Sequence, residues 1–269
     1  MSLILLTAPT AEPLSLAEAK LQLHQDDTAD DAAIAPLIRS SREKVESDTR
    51  RQLVTATWQL RLDRFPAVNR WHNPFAAIDL RICPAVAVNS VKYLDTAGAT
   101  QTLAAIKYTI DLQSEPARIK PLCGTTWPST YDDANAVTVE FVAGLATPFT
   151  ADAGADAFVA SGRTFAVGDK LRLLNSGGAL PAPLALLTDY YVLAGSQLSL
   201  TVGGAAINIT DAGSGTNFLL TDPRNIFETC RDAMRFFIEA KYDRDPEMME
   251  KLTTAGDNTL ITAGWGGYV

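Results

Sequence analysis

The sequence predicts an α+β protein: a helical bundle of two N-terminal helices and a long C-terminal helix, packed with an antiparallel β-sheet and carrying an inserted small all-β barrel or sandwich. Three observations predict it. Apolar residues recur at helical spacing through 14–49 and again through 226–238. The period changes to two from Thr55 to about Gly144. Between them, 146–222 carries few charges and many Gly, Ala and Thr, with a turn signal every 8–12 residues.

The first helix is expected over Leu14–His24. Ser15 and Glu18 stand at capping-box spacing, so the hydroxyl can accept from the Glu18 amide while the carboxylate reaches back. The second is expected from about Asp31 to Thr49, with Ile34, Leu37, Ile38 and Val45 on one side. Pro36 removes a hydrogen bond there and crowds the preceding turn, which predicts a late start or a kink. Strands are expected at TATWQLRLD (55–63), IDLRI (78–82), VNSVKYLD (88–95), KYTIDL (107–112), ARIKP (117–121) and NAVTVEFVAG (135–144), with DTAG (95–98) as a hairpin turn. The sheet should therefore follow the two helices.

Within 146–222 short strands are expected at TFAVG, KLRLLN, DYYVLAG, QLSLTV and INIT, around a core of Phe165, Leu171, Leu173, Tyr191, Val192 and Leu200. Gly144 could run directly towards Asp222 without this stretch, so it reads as an insertion in a surface loop, which costs little closure entropy. At Asp222-Pro223 an N-cap followed by Pro opens the last helix. Ile226, Phe227, Cys230, Ala233, Met234, Phe237 and Ile238 form its apolar stripe, expected to lie on the sheet and the first two helices. The division is thus a discontinuous core of 1–145 and 223–269, an insert at 146–222, and an extended tail at 253–269. That tail mixes Gly with Leu260, Ile261, Trp265 and Tyr268 and lacks helical periodicity, so these four either fold back or meet a partner.

Composition excludes several functions. The 269 residues are 47% hydrophobic and 20% charged, enough for a sizeable core without staples. A net charge of −8 argues against a protein whose main task is gripping nucleic acid. Cys83, Cys123 and Cys230 form no C-x-x-C and are expected as buried free thiols in a reducing compartment. The N-terminal MSLILLTAPT has neither a basic n-region nor an adequate apolar core for a signal, and nothing approaches a membrane span, so a soluble, intracellularly made protein is expected.

Candidate chemistry is sparse. LQLHQDDTADDAAI (21–34) sets Asp26, Asp27, Asp30 and Asp31 between two helices. The spacing lacks the alternation, bend glycine and distal Glu of a calcium loop, and His24 completes no zinc set, so capping and solvation of the linker are expected. With His24 and His72 alone, a Ser-His-Asp or Cys-His set has few possible centres, and His72 in RWHNPF is expected to pack its loop with Trp71 and Phe75. Asp132-Asp133 and Asp243/Asp245 sit in loop and helix-end contexts, and NIT (208–210) is an acceptor only in a secreted chain. There is no P-loop, G-x-G-x-x-G or G-x-S-x-G. No catalytic residue, cofactor or metal is expected; the elimination leaves a binding or structural protein.

Several stretches resemble one family. PLSLAEAKLQL (13–23), TRRQLVTATWQLRLDRFP (49–66), SVKYLDTAG (90–98), SEPARIKPLCGTTWPST (114–130), NAVTVEFVAG (135–144) and DAMRFFIEAKYDRD (232–245) are similar, in order, to head–tail connector (adaptor) proteins of long-tailed phages and prophages. The 146–222 insertion and the Gly-rich tail depart from the pattern, and the insertion itself resembles small β modules recurring in phage structural proteins. The resemblance implies a subunit of a closed ring, expected to be dodecameric, at the virion neck, made in the bacterial host cytoplasm. It would sit beneath the portal and lead to the stopper or tail-terminator proteins, with genome DNA passing through the lumen without specific binding and no membrane contact. The tail then becomes a docking segment with Leu260, Ile261, Trp265 and Tyr268 as anchors. The rival from another class is a virion-borne hydrolase or carbohydrate-binding protein using 146–222; a metal-dependent enzyme on the 26–31 aspartates is the other.

Overall fold

A computed structural model describes residues 1–69, 71, 73–186, 188–221 and 226–242. The fold is α+β, with three α-helices and antiparallel sheets among the described residues, one of them almost closed into a barrel. The chain forms two units: Met1–Pro9 with Thr55–Gly144, and Thr10–Val54 with the described residues of Leu145–Val269.

The first unit is all β. Strand β1 (Ser2–Thr7) is followed after the helices by β2 (Ala56–Leu62), β3 (Ile78–Leu80), β4 (Ala85–Leu94), β5 (Thr100–Thr102), β6 (Tyr108–Asp111), β7 (Ala117–Pro121) and β8 (Val137–Ala143). One sheet runs β1-β2-β8-β4-β5 and a second β3-β7-β6. Leu60, Val91, Val137, Val139 and Phe141 on the first sheet share a core with Ile78, Leu80 and Ile119 on the second. The strands expected from alternation are all present. The sheet nevertheless begins before the helices, because β1 pairs with β2 (Leu3↔Leu60, Leu5↔Trp58). The DTAG hairpin forms as expected: Gly98, at φ +80°, donates its amide to the Asp95 carbonyl, and the Asp95 carboxylate accepts from the Ala97 and Ala99 amides.

The second unit joins helices to the turn-rich stretch. Helix α1 (Leu16–Gln22) carries the expected capping box: the Glu18 amide donates to Ser15 Oγ (3.2 Å) and the Ser15 amide to Glu18 Oε2 (2.9 Å). Helix α2 (Asp31–Thr49) starts on time and runs on through Pro36, so the late start is not seen. Its exposed face carries the i,i+4 pairs Arg39–Glu43 and Lys44–Asp48. Strands β9 (Ala146–Asp152), β10 (Ala157–Ala160), β11 (Lys170–Ser176), β12 (Asp189–Val192), β13 (Leu198–Ser199) and β14 (Thr216–Leu220) form a sheet of order β10-β9-β14-β11-β12-β13. A single bridge, Ala157↔Gln197, brings its two ends together. Helix α3 (Ile226–Tyr242) completes the unit; the Asp222-Pro223 start lies outside the described residues.

Two strands of this sheet are buried on both faces. Leu171 and Leu173 of β11 and Leu219 of β14 line the barrel core with Phe149, Phe158 and Tyr190. Leu174, Phe218 and Leu220, pointing the other way, join Ile34, Ile38, Val45, Phe227, Met234 and Ile238 of the helices. The α3 stripe therefore covers this six-stranded sheet together with α1 and α2.

Three details of the barrel correct the expectation. TFAVG is not a strand: Gly168 takes φ +92°, and the Ala166 amide donates to the Asp169 carboxylate, closing a turn. INIT is not one either, because its amides go to separate places, Ile207 to Leu198, Ile209 to the Asp156 side chain and Thr210 to Ala182. Tyr190, not Tyr191, is the buried tyrosine, since Val192 is buried and strand neighbours face opposite sides; Leu200 lies beyond the end of β13 and is 60% exposed.

Candidate interaction surface

The helices of the second unit are locked by charge as well as packing. Arg231 on α3 is buried and donates to the Pro13 carbonyl (2.8 Å), to both oxygens of Glu228 (2.9 and 3.1 Å) and to Glu18. Ser176, at the end of β11, donates to the same Glu18 carboxylate and accepts from the Ser15 amide (2.9 Å). Burial pushes the Glu18 carboxyl up, but the Ser176 and Ser15 hydrogen bonds and the Arg231 charge outweigh it and hold it below the usual value. A second network sets Arg42 against Glu12 and Glu46 (2.7 Å each), with Glu46 also accepting from the Leu53 amide. These pairs fix the geometry of the helices.

The aspartates between α1 and α2 do the work of linkers, in a different way from that expected. Asp27 accepts from the Ala29 amide (3.1 Å), and Asp31 pairs with Lys20 (2.7 Å). Asp30 is the N-cap of α2, yet its side chain caps no amide and instead accepts from the Tyr242 hydroxyl on α3. Among the described residues no group of three or more His, Cys, Asp or Glu could hold a metal ion. No helix of the described residues is long and apolar enough to cross a membrane. Of the three free cysteines only Cys230 is buried, correcting the expectation; Cys83 is half-buried and Cys123 exposed. Burial pushes the Cys230 thiol up to about 11, which keeps it protonated and unreactive at neutral pH.

Exposed apolar groups gather in the first unit. Strand β1 lies at the edge of its sheet, and among the described residues no strand pairs its other side. Met1 (56% exposed), Ile4, Leu5 and Leu6 stand open beside it, and no charged side chain occurs from Met1 to Ala11. Natural edges are ordinarily blunted by Lys, Pro or cover. This one is not.

The second patch is the loop after β2. Asn69 and Asn73 exchange backbone hydrogen bonds (2.9 and 2.8 Å), the Trp71 amide donates to Asn69 Oδ1 (3.0 Å), and the Asn73 side chain clasps Ala77 through both its atoms. Its base is pinned by Trp127, which stacks on Phe65 at 4.7 Å and donates to the Ala76 carbonyl (2.7 Å). The tip presents Trp71, 86% exposed, and Phe75, 58% exposed with Lys120 Nζ 5.5 Å from its ring. The packing role expected of His72 lies outside the described residues; the asparagines hold the loop, and Trp71 and Phe75 stand outward. His72, Asp243, Asp245 and the expected anchors Leu260, Ile261, Trp265 and Tyr268 lie outside the described residues. The uncharged six-residue run SLILLT was the signal for the β1 surface; an apolar run of strand length beside a charge-free flank reads as an edge once its neighbour is known.

The barrel offers little for stacking a sugar ring. Phe149, Phe158, Tyr190 and Phe218 are buried, Phe165 and Tyr191 half-buried, and its exposed groups are the aliphatic Val159, Val167, Leu186, Leu200 and Val202.

No family model and no curated protein matches the chain. Among solved structures, the chain is similar to one in the virion of a native gene transfer agent particle, at 22% identity and a TM-score of 0.44, covering 54% of this chain and 72% of that one. It is similar to one in the neck of an empty gene transfer agent particle computed with C6 symmetry, at 24% identity and a TM-score of 0.44, with 54% and 72% covered. A chain in the neck of a native particle computed with C12 symmetry shares 26% identity at a TM-score of 0.42, with 54% and 70% covered.

Proposed function

We propose that the chain is a structural head–tail connector subunit, joining copies of itself into a ring, expected to be dodecameric, at the neck of a tailed-phage-like particle. The observation that carries this reading is the ordered run of connector-like segments across 13–144 and 232–245. Those segments supply the chain's architectural parts: the capping box of α1, the β2 and β8 strands of the main sheet, the Trp127 that pins the loop base, and α3. A ring requires heterologous contacts, one face of each copy meeting a different face of the next, and an edge strand plus a projecting aromatic loop are surfaces of that kind.

The portal would lie on one side and the stopper or tail-terminator proteins on the other, with genome DNA sliding through a lumen that does not grip it. Net charge favours this: 1–9 and 55–144 hold eight basic and eight acidic residues, so the whole surplus of −8 lies in the other unit. The 146–222 stretch is read as an insertion because its ends are adjacent, Ala146 pairing with Leu220 across β9 and β14. It shares a core with the helices through Ala146, Leu174, Phe218 and Leu220, so only its far side would face outward as an accessory surface. The tail 253–269 would be the docking segment, with Leu260, Ile261, Trp265 and Tyr268 as anchors.

Loss of the chain in the producing cell should leave DNA-filled heads unjoined to tails, with joining restored when it is supplied. Normal particles formed in its absence would overturn the reading.

A further inference from the structure

Strand β1 poses a physical problem that the described residues of a single copy leave unsolved. Leu3 is half-buried and packs on the sheet core, but Ile4, Leu5 and Leu6 are consecutive, so their side chains fall on both faces of the sheet, and all three are exposed. Consecutive apolar residues are the pattern of a strand covered on both sides and paired on both edges. Among the described residues only one of its edges is paired, to β2. The occupant has to be an extended, uncharged segment with apolar groups at adjacent positions.

The chain holds one such segment beyond the described residues. Asn258-Thr259-Leu260-Ile261-Thr262 is uncharged, rich in β-formers, and sets Leu260 and Ile261 side by side, so that one would fall on each face of a sheet it joined. Leu260 lies eighteen residues past Tyr242, the last described residue of α3. That length spans up to roughly 60 Å when extended, ample for reaching another subunit.

We infer that residues 258–262 of one copy add as a strand to the open edge of β1 in the neighbouring copy, so that the ring is closed partly by exchanged strands. This rests on the tail being an assembly segment, as proposed above. The contact is heterologous, as a ring demands: tail to edge, never edge to edge. Backbone hydrogen bonds supply the pairing, and Leu260 and Ile261 cover the apolar groups that β1 leaves open on its two faces. A strand so covered no longer templates aggregation.

Two full-length chains test it, one carrying Leu5→Cys and the other Ile261→Cys, both with Cys123→Ser to remove the exposed native thiol. They are mixed, assembled on portal rings and oxidised. A disulfide-linked pair between the two variants is expected, with no such product from either variant alone; a single chain carrying both substitutions should give a ladder of linked copies. A link closed within one chain, or none, overturns the inference. Electron microscopy of the same samples separates the two proposals: rings without the link remove the exchanged strand and leave the connector reading standing, whereas no rings at all removes both. As a second arm, the Ile4→Lys/Leu6→Lys variant should keep its fold by circular dichroism, since both residues are exposed, yet assemble at least tenfold less; undiminished assembly also counts against it.

Discussion

Gly177 shows how closely the second unit depends on single positions. It sits at φ +76°, and a Cβ there would come 2.6 Å from the Ser15 side chain, the cap of α1. Gly177→Ala should therefore destabilise the fold by about 2 kcal/mol, from left-handed strain and a disturbed cap, read as a lower denaturation midpoint. Arg231 is a stronger case. Arg231→Ala strands Glu18, Glu228 and the Pro13 carbonyl beside a buried hole, and should cost about 3–5 kcal/mol. Glu18 also predicts a pH dependence. Its carboxyl is held below the ordinary value, so its stabilisation is complete above about pH 4.3 and disappears as pH falls through the lowered value. Glu46 acts oppositely, burial raising its carboxyl, so its charge opposes folding at high pH and that opposition fades on acidification. Thermal melts of the wild type and Glu18→Gln isolate the first effect: their difference should shrink on acidification below about pH 4. A difference that stays constant would mean that Glu18 is not stabilised as a carboxylate.

Among the elements, how much the sequence foretold depended on whether the pattern was local. The capping box, the alternation of β2 and the stripe on α3 all act within a few residues, and each foretold its element. The role of β1 was hidden because SLILLT is equally compatible with a buried strand and with an edge; only its register against β2 decides. The outward setting of Trp71 and Phe75 was hidden for a similar reason. Their exposure is set by Asn69 and Asn73 closing a small hairpin and by Trp127, more than fifty positions along the chain, fixing its base. Barrel strands failed where backbone amides found partners outside a ladder, as at INIT. The shared core of the second unit carries its own prediction. Phe218 is fully buried, with its ring 5.6 Å from Phe227 of α3. Phe218→Ala should cost about 3–5 kcal/mol and lower the helical and sheet signals in one transition, seen by circular dichroism at two wavelengths. Separate transitions would show that the barrel and the helices fold independently. Excision of 146–222 should likewise unseat α1–α3, because Ala146, Leu174, Phe218 and Leu220 leave the helix core with it.

For the whole molecule, the charge distribution and the open apolar surfaces favour the same reading. A neutral all-β unit bears the uncovered edge and the aromatic loop; an acidic unit carries the helices and the barrel. Apolar surface left open in this way calls for a partner, and an acidic surplus suits a wall past which DNA slides. Removing 253–269 should weaken ring or portal attachment at least tenfold while leaving the melting behaviour of the described fold unchanged, because the core built by the described residues lies upstream. Cryo-electron microscopy of the full-length chain mixed with portal rings from the same particle tests the central claim most directly. The account predicts a closed annulus of this protein, coaxial with the portal and open along its axis. A portal that stays bare, or one that carries isolated copies away from the axis, would contradict it.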